Sequence, residues 1–138
     1  MARLAGCLIS TALVAGLLGM ATEANGQIVV GQTTTPLSLQ GQSGGPVDSK
    51  GCGFIAATPN HAINVTDRLD YLRLNVQANG EPTLLVDGPG GKFCVLADQV
   101  SGANPEISGV WMPGRYSIYV GDRTGSQHQY TINISQQK

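Results

Sequence analysis

From residue 71 to residue 78, apolar and polar residues alternate without a break. Leu72, Leu74, Val76 and Ala78 fall on one side of an extended chain, and Arg73, Asn75 and Gln77 fall on the other. Successive side chains of a strand point to opposite faces, so this pattern specifies a strand with one buried and one wet face. The period recurs at 115–121, where Tyr116, Ile118 and Val120 alternate with Arg115, Ser117 and Tyr119. It recurs again at 127–135, with Tyr130, Ile132 and Ile134 inward. Three such stretches commit the chain to a sheet protein whose interior is built from every second residue.

The remaining strands follow from turn chemistry. Residues 83–94 read Thr-Leu-Leu-Val-Asp-Gly-Pro-Gly-Gly-Lys-Phe-Cys, two strand-forming runs around a glycine-proline turn, which predicts a β-hairpin. Gly88, Gly90 and Gly91 are expected to supply its positive φ angles. Residues 53–58 and 62–66 read as short strands around Pro59-Asn60-His61, and residues 107–112 as a short strand or edge segment carrying the only tryptophan, Trp111. Pro113-Gly114 fits the centre of a type II turn. The expectation is an all-β fold, a two-layer, jelly-roll-like β-sandwich of about eight short antiparallel strands with almost no helix. Composition agrees: charged residues are 12% of the chain and there are 19 glycines among 138 residues. A net charge of −1 without a basic run argues against nucleic acid as a partner.

The first 26 residues read as a Sec-type signal peptide. Arg3 gives a short positive start, residues 4–20 are apolar, and Ala24-Asn25-Gly26 offers small residues before a cut at Gln27. The apolar run is too short for a stable span, so no membrane span is expected after cleavage, and the mature chain is placed in the periplasm or outside the cell. Leu4-Ala5-Gly6-Cys7 spells a lipobox, but the apolar run follows this cysteine instead of preceding it, and Cys7 reads as part of the signal. That leaves Cys52 and Cys94, an even pair in an exported chain, read as a disulfide with two free thiols as the alternative. Residues 27–50 shift to Gly, Gln, Ser, Thr and Pro and read as a flexible linker, although Gln27-Ile28-Val29-Val30 could add an edge strand. The sandwich is therefore expected over residues 51–138. Within the linker, Gly41-Gln42-Ser43-Gly44-Gly45-Pro46 resembles the nucleophile segment of trypsin-like serine proteases, with Gln42 in place of aspartate. No histidine precedes Ser43, where that family keeps its base, so the protease reading is set aside.

Three stretches together resemble the bacterial pre-peptidase C-terminal (PPC) type of β-sandwich. Thr83-Leu84-Leu85-Val86-Asp87-Gly88-Pro89-Gly90-Gly91 is similar to that family's T-L-x-L-x-G-P-x-G hairpin. Residues 113–120, Pro-Gly-Arg-Tyr-Ser-Ile-Tyr-Val, are similar to its x-G-x-Y-x-I-x-V strand, and Tyr130-Thr131-Ile132-Asn133-Ile134 to its closing Y-x-L-x-V strand. The resemblance implies an eight-stranded sandwich with an extracytoplasmic, non-catalytic role. In that family the domain usually trails a secreted hydrolase; here none precedes it.

Candidate chemistry is sparse. Some PPC relatives bind calcium, and the carboxylates that could do so here are Asp67, Asp70, Asp98 and Asp122. They form no Asp-x-Asp-x-Asp run, so no cofactor is expected and they read as exposed turn caps. His61 and His128 are isolated, and Glu81 and Glu106 are a glycosidase pair only in the sense that any two acids are. Asn64 and Asn133 head N-x-S/T triplets, which in a chain of this kind mark outward strand positions. The group with binding character is Trp111, Arg115 and Tyr119, read as an exposed contact platform for a glycan or a protein. The sequence thus predicts a non-enzymatic, exported binding or accessory module. The alternatives are a self-associating envelope or matrix protein and a secreted hydrolase of unrecognised type.

Overall fold

A computed structural model describes residues 27–98 and 100–138 of the chain. The expected signal peptide, Cys7 included, lies outside the described residues. Among those described, all regular structure is strand, and no helix is long and apolar enough to cross a membrane. Eleven strands form two sheets. They are β1 (Gln27–Val30), β2 (Leu37–Gln42), β3 (Val47–Asp48), β4 (Phe54–Ile55), β5 (His61–Val65), β6 (Leu69–Ala78), β7 (Pro82–Gly88), β8 (Gly91–Leu96), β9 (Glu106–Trp111), β10 (Gly114–Asp122) and β11 (Gln129–Ser135).

The larger sheet has the order β1-β5-β10-β7-β8, with β4 and β3 continuing from the far end of β10. The smaller is β2-β11-β6-β9. Their inward faces carry the alternating residues named from sequence. Leu72, Leu74 and Val76 of β6 meet Ile132 and Ile134 of β11 across the layer from Ile118 and Val120 of β10, all fully or almost fully buried. The sandwich is the expected fold class. The strand count is higher than expected because of the segment read as a linker.

Residues 27–50 are a built part of both layers, which corrects the linker reading and moves the start of the sandwich to Gln27. β1 pairs in parallel with β5, and Ile28 and Val30 fill the core at 8% and 0% exposure. β2 pairs with β11 over six residues, Gln129↔Gln42 to Ile134↔Leu37. β2 is itself a period-two strand: Leu37 and Leu39 face inward and Ser38, Gln40 and Gln42 outward. A sheet neighbour satisfies its backbone whatever its composition, and the Gly/Gln/Ser content hid the period.

Two glycines are required by the aromatic side chains above them. Gly41 lies opposite Tyr130, and a Cβ there would stand within 3 Å of the phenol ring and overlap its hydroxyl. Gly88 stands in the same relation to Tyr116. This corrects the reading of the hairpin glycines: of Gly88, Gly90 and Gly91, only Gly91 takes a positive φ, at 113°. Gly88 is there for space.

The disulfide joins Cys52 to Cys94 with Cα atoms 5.8 Å apart. Cys52 sits at the end of a tight loop. Ser49 Oγ accepts from the Cys52 amide at 2.8 Å, and Thr83 Oγ1 donates to the Cys52 carbonyl at 2.7 Å. The loop lies on the outer face of the larger sheet, where Cys52, Ile55 and Leu85 form a second small core with Tyr119 packed against it. The bridge closes a span of 42 residues and holds this cover to β8.

Two stability outcomes follow. Reduction, or Cys52→Ser, removes a cross-link that the chain-entropy account values at about 4 kcal/mol. The melting temperature should fall by more than about 10 °C, and an unchanged melt in reductant would refute the staple. Gly41→Ala should cost about 1–3 kcal/mol by forcing Tyr130 from its place, read as a lower denaturant midpoint at unchanged m.

Candidate functional site

The two sheets differ in width. Five strands run across the larger sheet from β1 to β8, and four make up the smaller. The burial of Ile28 and Val30 shows that the β1 side is covered. The mismatch therefore falls at β8. There Phe93, which pairs with Val86 and points to the inner face, remains 53% exposed.

Below β8 the sandwich opens into an apolar groove of about 260 Å³. β9 forms its lower wall through Ile107, Gly109 and Trp111, and Phe93 hangs over the upper. Its floor is an aromatic pair. Trp111 and Tyr116 are 5% and 6% exposed, with ring centroids 4.6 Å apart and planes tilted by 51°. The Tyr116 hydroxyl donates to the Met112 carbonyl at 2.7 Å, so the floor's phenol is already engaged. Burial pushes the pKa of Tyr116 up and that hydrogen bond opposes it. The mouth is rimmed by Val110 and Met112, each more than half exposed. Two other cavities are polar. One lies by Glu81, Asp98 and Asn104, the other by Arg68, Asp70 and Tyr71.

The predicted platform is not assembled. Trp111 points into the core from the smaller sheet, while Arg115 and Tyr119 lie on the outer face of the larger one. Even those two are four residues apart, about 13 Å along the strand, and Tyr119 is partly covered by the Cys52 loop. Of the three, Trp111 belongs to the groove. Phe93, Val110 and Met112 were missed. Val110 and Met112 lie in the stretch already read as a short strand or edge segment, and their exposure next to Phe93 becomes visible only once β8 and β9 are seen to border the two sheets on the same side.

The four carboxylates considered for calcium stay apart. Asp67 accepts from Thr66 Oγ1 at 3.2 Å, and Asp70 is paired with Arg68. Asp98 caps its own turn by accepting from the Val100 amide at 2.9 Å, and its hydrogen bonds from residues 100 and 101 hold its carboxyl below the usual range. Asp122 is fully buried, against the expectation of an exposed cap. It accepts from the Glu81 and Thr124 amides and from Thr124 Oγ1, at 3.1, 2.8 and 2.7 Å. Burial alone would raise its pKa, but these donors and His128 together lower it. Among the described residues no three potential metal ligands converge, and the donor set does not fit calcium.

Ser43, His128 and Asp122 are neighbours, yet not as a triad. Ser43 is 0% exposed, and its hydroxyl donates to the His128 carbonyl at 3.1 Å and accepts from the His128 amide at 3.2 Å. The imidazole instead faces Asp122 at 4.0 Å. A serine with its hydroxyl tied to main chain and no water access cannot be activated as a nucleophile. The other histidine, His61, bridges the two layers: Tyr130 Oη lies 2.7 Å from its Nε2. Burial lowers the His61 pKa and drives that of Tyr130 up to about 12. The phenol therefore keeps its proton in this hydrogen bond between the layers. Glu106 is held by Arg73 and Asn75 on the outer face of the smaller sheet.

The fold and groove define a disulfide-stapled, two-sheet all-β sandwich with an apolar opening between its layers. No family model matches the chain. It is 38% identical over 126 residues to an uncharacterized protein of Synechococcus elongatus, with 88% of this chain and 91% of that one covered. The chain belongs to the family of that cyanobacterial protein. Among solved structures, it is similar to the pre-peptidase C-terminal domain of collagenase from Bacillus anthracis. The identity is 16%, the TM-score 0.49, and 79% of this chain and 94% of that domain are covered. This is a domain of the kind that the three sequence stretches resemble. It is also similar to PliG, a periplasmic inhibitor of g-type lysozyme from Aeromonas hydrophila, at 12% identity and a TM-score of 0.43, with 79% and 97% covered. The sandwich rests on the chain's own two sheets.

The bridging histidine gives a pH dependence with a definite sign. Its folded pKa lies below the ordinary 6.5, so between the two values the unfolded chain holds more protons. The stabilisation is complete above about pH 6.5 and is lost as the pH falls from there toward the folded value. Melting temperatures measured from about pH 7.5 to 5 should decline, and His61→Gln should remove part of that slope. An identical slope in the variant would refute the assignment.

Proposed function

We propose that this chain is an exported, non-catalytic binding module that engages a protein or glycan at the groove between β8 and β9. One observation carries the reading. Phe93, Val110 and Met112, each 53–54% exposed, surround an aromatic-floored apolar opening. Exposed apolar side chains gathered around a concave site mark contact surfaces more often than chance placement does. The disulfide supports an oxidising compartment, as does the signal-like pattern of residues 1–26. A non-catalytic role is supported by the engagement of Ser43, His61 and Asp122 in structural hydrogen bonds. No metal or cofactor enters this reading.

Trp111 is the only tryptophan and lies in the groove floor, so its emission reports occupancy. Titration with soluble glycan fragments and with peptides should shift that emission for at least one of the two classes. Val110→Asp and Met112→Asp should weaken the response at least tenfold. Both are surface changes, so the melting temperature should stay within about 2 °C. Binding that survives both variants would place the contact elsewhere.

A second reading, self-association, is favoured by β8, an edge strand with Phe93 and Leu96 exposed. Light scattering over a concentration series separates the two: a mass that climbs with concentration and returns to the monomer in Phe93→Lys would favour self-association.

A further inference from the structure

The groove lies beside the end strand of the smaller sheet. Among the described residues the smaller sheet ends at β9, whose one strand partner is β6. One strand further out, the larger sheet continues as β8, which roofs the groove beside β9. Phe93 and Val95 of β8 point inward over it; Phe93 is half exposed and Val95 only partly buried. An edge strand also leaves about half of its main-chain amides and carbonyls facing away from its one neighbour.

We infer that this slot accepts an extended segment of another polypeptide, which pairs with the free edge of β9 and completes the smaller sheet. The inference deepens the reading given above and rests on the groove being the contact site. Three observations choose a peptide strand over a sugar or a small aromatic ligand. The groove offers almost no side-chain polar groups: Ser108 is the one hydroxyl at its wall apart from Tyr116, which is already engaged. A sugar needs such groups, whereas a strand brings its own main-chain donors and acceptors. Second, Gly109 interrupts β9 with φ at 143°, and a Cβ built there meets nothing within 4 Å. The glycine lies on the inner face beside the register shift between β6 and β9, and with no side chain there the face has room for an inward side chain of a strand added at this edge. Third, the slot is apolar above and open to solvent below, which fits alternating side chains, apolar toward Phe93 and polar outward. β9 has six residues, so the segment would be about six residues, roughly 20 Å long. With a net charge of −1 on the chain, the pairing would depend little on ionic strength.

The test uses the full chain and a blocked octapeptide of alternating threonine and valine or phenylalanine with a lysine at each end. Trp111 emission reports occupancy and amide hydrogen exchange reports pairing. Addition of the peptide should shift the emission and slow exchange at β9 amides. Methylating the peptide nitrogens on one alternate set should weaken binding at least tenfold, and methylating the other set should have little effect. Phe93→Ser should weaken binding at least tenfold with the fold retained by circular dichroism. A shift in emission with a glycan or a small aromatic ligand and no protection of β9 would overturn strand pairing while leaving the groove as a contact site. No response to peptide, glycan or aromatic ligand would overturn both. Protection of β9 that rises with protein concentration alone would assign the slot to a second copy of the chain and overturn a separate partner.

Discussion

The structure depends on the pairing of β10 with three strands at once. Residues 114–118 pair with β5, residues 117–122 pair with β7 on the opposite edge, and Asp122 reaches β4. One nine-residue strand thus sets the register of most of the larger sheet. A slip of one residue would turn Tyr116, Ile118 and Val120 to solvent and bury Arg115, so the hydrophobic term enforces a single register. That fixed register brings His61 opposite Ile118 and aims it across the core at Tyr130. It also places Thr83 where it can receive the Cys52 loop.

The polar interior is small and fully engaged. Among the described residues every buried side-chain nitrogen or oxygen has a partner. The Asp122 carboxylate ties the turn after β6 to the turn after β10, and Ser43 ties β2's exit to His128. These groups close the ends of the sandwich, where alternation gives no help because the chain reverses. Their chemistry resembles that of an active centre in residue type alone. What separates the two is orientation: hydroxyl and carboxylate face main-chain partners, and an unpaired buried group would cost more than these bonds gain.

The same economy makes the opening beneath β8 conspicuous. Within each sheet a large side chain lies over a glycine of the neighbouring strand, as with Tyr130 over Gly41 and Tyr116 over Gly88. At β8 the larger sheet outruns the smaller by one strand, and Phe93 is left without a floor. Exposed edges are usually short, charged or covered. β9 has Glu106 at its start, but from Ile107 to Trp111 it carries no charge.

The sequence by itself determined the strand faces. Every inward residue named in β6, β10 and β11 is buried or partly buried, because the period of a strand is a local property of the backbone. It also pointed to the Cys52–Cys94 pairing, since two cysteines admit one intramolecular bridge. It did not determine that residues 27–50 are strands. β1 is four residues long and β2 is rich in Gly, Gln and Ser, and both are held by neighbours distant in the chain. Nor could it assemble a contact site. Trp111, Arg115 and Tyr119 are close in sequence, but a strand reversal at Pro113-Gly114 sends them to different layers and faces. Which edge stays open depends on how many strands each layer collects, a sum over the whole chain. That count, and with it the exposure of Phe93 above Trp111, was decided only when the two sheets were laid against each other.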